Sequence, residues 1–398
     1  MTARGRDARP LVLSCAAGLG LLVAGGVGAM SAPTGPGNAG LSPMAWTDVP
    51  GWATDDHAAA FAVFQLTCPG VVSGDAVLRP GLPPGRALVA ACRAALMTGA
   101  LTGDAAKAFF ETRFRPFAVT PPAGEGFLTG YYEPEIEASL VASDGFPVPA
   151  LGRPSDLETL AAGETRPGLD PALAAARRSP AGLVPYPDRA AIMDGALAGQ
   201  GLEIAWLRDD VDLFYAQVQG SARLRLPDGT LARLVYAGRN GQPYTSIGRV
   251  VVAEGHMTME AMSLERLQAW LRANPAEARR VMRLNRSYIF FAVRHDLDPA
   301  KGPVGAASVP LVPLRSIAVD RTLWPYGTPF VIAADLPEPA GGTRRFAALT
   351  IAQDTGSAIL GPARADIFFG SGAAAGTRAG LVRHPGRFVV LLARDADP

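Results

Sequence analysis

From Ser287 to Ala393 the chain alternates short apolar runs with glycine and proline punctuation: SYIFFAV, LVPLRSIAV, PFVIAA, FAALTIAQ and RFVVLLA. Runs of this length, rich in β-branched and aromatic residues, read as strands. No helical periodicity of crossover length separates them, so a sandwich or barrel fits better than a βαβ array. With 45 glycines and 35 prolines in 398 residues, turn chemistry is abundant enough to connect them.

The N-terminal part has a different texture. Asp55 is placed to cap a helix in which Phe61, Phe64 and Cys68 recur at helical spacing. Leu88–Met97 forms a second, alanine-rich helix carrying Cys92, and Ala105–Phe114 a third. At Gly126 the pattern turns strand-like in GFLTGYYEPEIEASL, then loop-like for about fifty residues. Strand signals return from Leu202 and run through the QVQG segment, with Asp228-Gly229 as a hairpin turn. Ser263 caps a helix with Leu264, Leu267 and Leu271 on one face, and Pro275 opens another. The fold class expected is mainly β with N-terminal helices, α+β in type.

Residues 1–31 have the features of an export signal: Arg4, Arg6 and Arg9 precede an uncharged run from Leu11 to Met30. Cleavage, retention as an anchor and lipidation at Cys15 are all open, and each places the body outside the cytoplasm. Residues 32–46 read as a Pro/Gly-rich linker. In that compartment the remaining pair, Cys68 and Cys92, is expected to form a disulfide stapling two helices.

Several chemistries are excluded. The formal net charge is +1 with no basic block, which gives no support to nucleic-acid binding. His57, His256, His295 and His384 are scattered, and neither cysteine sits in a ligand cluster, so no metal is expected. Neither a P-loop nor a G-x-S-x-G elbow occurs. Gly370-Ser371-Gly372 with Gly376 has the wrong spacing and context for a dinucleotide loop, and no cofactor is expected.

Carboxylates remain, and their natural work is acid catalysis on glycosidic bonds. In IAQDTGSAILGPARADIFFG, Asp354 leads into Thr355-Gly356-Ser357 and Asp366 opens onto Ile367-Phe368-Phe369. An aspartate against such an apolar run is a candidate for a raised pKa. A third, Asp320, lies upstream. The residues alone leave open the blander reading of a turn aspartate and a strand-start aspartate.

Seven ordered strings change that balance: GYYEP, QVQGSARL, YAGRNGQPYTSIGR, NRSYIFF, GAASVPLVPLRSIAVDRTLWPYGTP, QDTGSAI and ADIFFGSG. Together they resemble the membrane-bound lytic murein transglycosylase A family with its C-terminal 3D domain, over roughly residues 55–396. The resemblance implies an enzyme of the cell envelope, on the periplasmic side, of a Gram-negative-type bacterium. Its partner would be peptidoglycan glycan strands, with membrane association through the N-terminal segment and other cell-wall enzymes as further partners.

The reaction implied is non-hydrolytic cleavage between MurNAc and GlcNAc, leaving 1,6-anhydro ends. The fold implied is a double-psi β-barrel domain, residues 47–130 plus 284–396, interrupted by a smaller inserted β-domain, 131–283, with a groove between. Asp366 matches the catalytic position, Asp354 a modulating one and Asp320 a supporting one. Tyr131, Tyr132, Glu133, Gln217, Gln219, Tyr244, Gly356 and Ser357 are expected along the sugar groove, with Arg249 and Arg364 left to meet carboxylates of the substrate or to pair locally with acids. Ser357 stands where the family pattern carries a second glycine. A two-carboxylate hydrolase and a non-catalytic peptidoglycan-binding protein are the rival readings.

Overall fold

The computed structural model describes residues 35–394 apart from 162–163, 296–297 and 299. The export segment 1–31 lies outside the described residues. Among those described, no helix is long and apolar enough to cross a membrane.

The larger sheet has nine strands, in the spatial order Gly40–Pro43, Phe114–Thr120, Arg387–Ala393, Pro329–Pro337, Thr343–Asp354, Ser316–Val319, Arg364–Ser371, Phe127–Glu133 and Arg383–Pro385. Two of its pairings are parallel: Ser316–Val319 with Thr343–Asp354, and Arg364–Ser371 with Phe127–Glu133. The order is open at both ends, and no closed barrel is formed by pairing among the described residues. Period-two alternation sends Phe330 and Ile332 into one core cluster and Val331 into another. Both faces of the central strands are therefore buried, which is why PFVIAA reads as a continuous apolar run.

The helices His57–Ser73, Arg86–Thr98 and Gly103–Arg113 cover one face, packing Phe61, Phe64 and Phe110 against Val331, Leu349 and Ile351. Cys68 and Cys92 are joined in a disulfide between the first two. The first helix is capped by Asp56, whose carboxylate accepts from Ala59 N at 3.0 Å, and not by Asp55. Asp55 instead pairs with Arg315 and accepts from Leu349 N, tying the helix start to the sheet.

The chain leaves this sheet at Pro134 and builds a second, six-stranded one: Ile289–Arg294, Leu231–Arg239, Ser221–Arg225, Glu135–Ser139, Glu203–Leu207 and Val148–Leu151. Ile289–Arg294 belongs here by its pairing with Leu231–Arg239, beyond the boundary expected at 283. Ser263 caps its helix as expected, accepting from Arg266 N.

Three further expectations are corrected. The linker contains a strand, Gly40–Pro43, because Leu41 buries its side chain in the core while the segment pairs with Phe117–Thr120. The loop-like stretch after residue 140 holds a small sheet of Leu157–Thr159, Ala175–Ser179 and Gly182–Pro185, strands too short to leave a periodic signal. The QVQG segment ends a helix, Asp210–Gln219, and is not a strand. Asp209 caps it, accepting from Asp212 N, and Gly220 ends it at φ 83°. These are helix-boundary residues that outweigh the local strand propensity.

Candidate active site

Four neighbouring strands set one row of side chains. Ala318 pairs with Asp354 on one side and with Asp366 on the other, and Asp366 pairs in turn with Thr129. Residues in register share a sheet face, so both aspartates stand on the same wall with a small alanine between. At roughly 4.8 Å per strand, their Cα atoms are about 10 Å apart.

Asp354 reaches this row through a bulge. Ile317 pairs with Ala352 and Ala318 with Asp354, so Gln353 is passed over. In regular pairing Gln353 would oppose Ala318 and Asp354 would turn to the other face. The displaced Gln353 is buried: its amide donates to Thr67 Oγ1 at 2.7 Å and Val63 O at 3.2 Å in the first helix, and its Oε1 accepts from Ser316 Oγ.

The two carboxyl groups have different surroundings. Asp354 is fixed by three donors: Ala306 N at 3.0 Å, Thr355 N at 2.8 Å and the Tyr131 hydroxyl at 2.9 Å. Burial, and then the nearby Asp354 and Asp366 charges, push the Tyr131 phenol well above its usual value, so it stays a donor. Asp366 accepts from the Thr129 hydroxyl at 2.7 Å. Burial pushes its carboxyl up to about 6, against the opposing pull of Arg364 and Thr129, with Asp354 adding to the rise. The Arg364 guanidinium is turned to Thr129 Oγ1 and Ala365 O.

The row lines an inner cavity of about 250 Å³, walled by Tyr131, Leu311, Ile359 and Phe368. It adjoins a wider groove of about 1360 Å³. The two sheets meet here because the strand Phe127–Glu133 runs from the first into the second at Pro134. Gly130 and Gly376 let the helix Ala373–Leu381 close on that strand: a Cβ at Gly130 would come within 2.8 Å of Ala379 Cα, and one at Gly376 within 2.7 Å of the Tyr132 ring.

Of the expected groove residues, Tyr131, Tyr132, Gln217, Gln219, Tyr244, Gly356 and Ser357 all line the inner cavity. Gln219 spends its Oε1 on Tyr132 N at 3.2 Å. Gln217 is buried and held by Arg189 Nη1 at 2.6 Å and Ile289 O at 3.0 Å, which leaves it a wall more than a ligand. Glu133 is absent from the cavity lining. It is fully buried, ion-paired with Arg233 and Arg223 and accepting from Ser371 Oγ, so its surroundings are structural. Asp320 is also outside the inner cavity. Its oxygens accept from Thr322 N, Thr322 Oγ1 and Gly361 N, which ties two loops together.

Sequence reasoning missed Thr129, Ala318 and Arg79. Thr129 sits one residue before the GYYEP string, but nothing in a lone threonine signals that it will meet Asp366. Arg79 comes from a Pro/Gly-rich loop between helices and enters the groove only through tertiary packing.

Residues 127–292 match the family model of the MltA specific insert domain, and residues 315–392 that of the 3D domain. A membrane-bound lytic murein transglycosylase A from Vibrio cholerae is 34% identical over 270 residues, 66% of this chain. That alignment spans 64% of the curated relative's length, just under two thirds. The crystal structure of a membrane-bound lytic murein transglycosylase from Agrobacterium tumefaciens is 38% identical, covering 89% of this chain and 98% of that one, with a TM-score of 0.80. The structure of Escherichia coli MltA with bound chitohexaose is 25% identical, covering 89% and 94%, with a TM-score of 0.63. With the insert model, the 3D model and the whole-chain structural match falling in this order around the aspartate row, the chain belongs to the membrane-bound lytic murein transglycosylase A family.

Proposed function

We propose that this protein is a lytic transglycosylase of the cell envelope, cleaving the β-1,4 bond between MurNAc and GlcNAc in peptidoglycan without water. The observation that carries the reading is Asp366, a carboxyl pushed up to about 6 in a cavity between two sheets. The names of the relatives supply the substrate class, and the chitohexaose bound by the Escherichia coli relative is an oligosaccharide of the same linkage.

In this reading the protonated Asp366 donates to the glycosidic oxygen as the bond from C1 breaks, releasing the GlcNAc 4-hydroxyl. The resulting carboxylate takes the proton of the muramoyl 6-hydroxyl while its oxygen closes on C1, forming the 1,6-anhydro ring and restoring the acid. Asp354, fixed by its three donors, holds a negative charge one strand away from the oxocarbenium-like transition state. Tyr131 keeps that carboxylate aimed. Tyr132, Tyr244, Gln219, Gly356 and Ser357 form the sugar-facing walls, and Asp320 supports the loops around them.

The nine-stranded sheet corresponds, on this reading, to the family's double-psi barrel domain. The insertion runs from residue 131 to the end of the strand Ile289–Arg294, and the N-terminal segment directs the body to the periplasmic side. A second reading, a hydrolase using Asp354 and Asp366 as base and acid, draws on the same two-aspartate row. Mass analysis of fragments released from purified peptidoglycan separates the two: 1,6-anhydro ends are expected, and reducing ends in their place would sink the transglycosylase. Binding with no cleavage of any glycan would leave a non-catalytic envelope protein.

A further inference from the structure

The groove beside the aspartates is far more positive than the chain, whose formal net charge is +1. Seven arginines line it against two acids, Glu164 and Asp320. Both acids are occupied, Asp320 by Thr322 and Gly361, and Glu164 by Arg166 and Ala161 N. Among the described residues none of the seven lies within 4.0 Å of a carboxylate oxygen, although arginines elsewhere are widely ion-paired.

Two of the seven, Arg79 and Arg239, bond the Thr355–Ser357 loop, and Arg321 lies beside them. Arg79 Nη1 donates to Thr355 O at 2.9 Å, with its guanidinium 3.9 Å above the Tyr236 ring. Arg239, three residues along the same strand, donates to Ser357 Oγ. Arg321 Nη1 donates to Pro80 O at 2.8 Å, next to Arg79 in the chain. All three are half-buried. Burial first, then Arg79 and Arg321, pulls Arg239 below its usual value. Like charges gathered out of bulk water with no carboxylate in direct contact carry an electrostatic cost that an entering anion offsets.

We propose that Arg79, Arg239 and Arg321 form a carboxylate-binding subsite that engages the acidic substituents of muramoyl residues, so that the enzyme prefers anionic glycan strands over neutral ones. This rests on the transglycosylase reading and adds a substrate preference to it. On such a strand the ionised groups hang from the muramoyl lactyl ether. They are the lactyl carboxylate itself when the peptide is removed, or the carboxylates of an attached stem peptide. Guanidinium forks suit either, because they match carboxylate geometry. Ser357 has a distinct part: its hydroxyl, at the position where the family pattern carries glycine, gives Arg239 its acceptor.

The test compares three glycans by calorimetry, in an Asp366→Asn background that prevents turnover: chitohexaose, peptide-free MurNAc–GlcNAc strands and peptide-bearing strands. Arg239→Gln/Arg321→Gln is expected to weaken binding of an anionic strand about ten-fold or more relative to chitohexaose, with the gap narrowing as salt rises. Loss on peptide-free strands alone assigns the lactyl carboxylate, loss on peptide-bearing strands alone assigns the stem, and loss on both shows that the subsite takes either carboxylate. Arg239→Lys/Arg321→Lys, with charge retained, should keep most of the preference, and melting temperatures report any fold defect. Equal weakening on all three glycans, or no weakening on any, overturns the subsite while leaving the transglycosylase reading in place. Failure of the parent protein to bind any glycan removes both.

Discussion

The paired strands Phe127–Glu133 and Arg364–Ser371 carry two carboxyl groups in opposite surroundings, Glu133 and Asp366. Glu133 is fully buried, but two guanidinium groups and a serine hydroxyl surround it. Asp366 is half-buried with one threonine hydroxyl, and its nearest arginine is turned away to other acceptors. Burial alone does not make a reactive acid. Burial with compensating charge makes a structural joint, and burial with too little makes a proton donor.

The largest expected effect breaks the comparison at its reactive end. Asp366→Asn should lower glycan cleavage by about 10³-fold, read as fragment release from peptidoglycan, since an amide can neither give nor take the proton. The same change bears on stability. The raised carboxyl holds its proton in the folded chain over a range where the unfolded chain has lost it. Wild-type stability therefore falls as pH rises from about 4 to about 6. Urea titrations should find Asp366→Asn more stable than wild type by on the order of 2 kcal/mol at pH 8, with the difference fading at pH 4. No gain at pH 8 would argue against the raised carboxyl.

At the structural end, Glu133→Gln removes the buried carboxylate that Arg233 and Arg223 share. A loss of about 3–5 kcal/mol is expected in the same titrations, with cleavage per folded molecule far less affected than by Asp366→Asn. If the stability loss is small and cleavage collapses, the division between the two groups is wrong.

Smaller changes sharpen the contrast through the pH dependence of kcat/KM. Activity should decline as pH rises through about 6, where Asp366 gives up the proton it must donate. Asp354→Asn removes a like charge, so that alkaline limb should move to lower pH, with activity down by about 10²-fold. Thr129→Val removes a donor to the ionised form, so the limb should move to higher pH, by less than about one unit. A limb that stays put in both variants would separate the observed pH dependence from Asp366.

Much of the two-sheet plan was legible because Phe330, Ile332 and Val331 alternate faces and Asp228-Gly229 marks its hairpin. The helix Asp210–Gln219 was not, since aromatic and β-branched residues in YAQVQGSARL mask caps that only the folded chain puts to use. The Asp354–Asp366 pair was visible as residues, but its geometry depends on Ala318, which lies 36 positions before Asp354 in sequence and beside it only through pairing. Glu133 looked like a groove residue for the same reason: its partners Arg223 and Arg233 are 90 and 100 positions away. Pairing of charges across such separations leaves no local pattern.

The bulge at Gln353 gives neighbouring residues unrelated work: Gln353 ties the sheet to the first helix, and Asp354 lines the cavity. Deleting Gln353 would return the two strands to regular pairing with Asp354 still opposite Ala318, so the aspartate row would survive. Such a variant would keep the row but lose the hydrogen bonds that join Gln353 to Thr67, Val63 and Ser316. The extra residue therefore serves the joint between helix and sheet, while pairing with Ala318 places the aspartate.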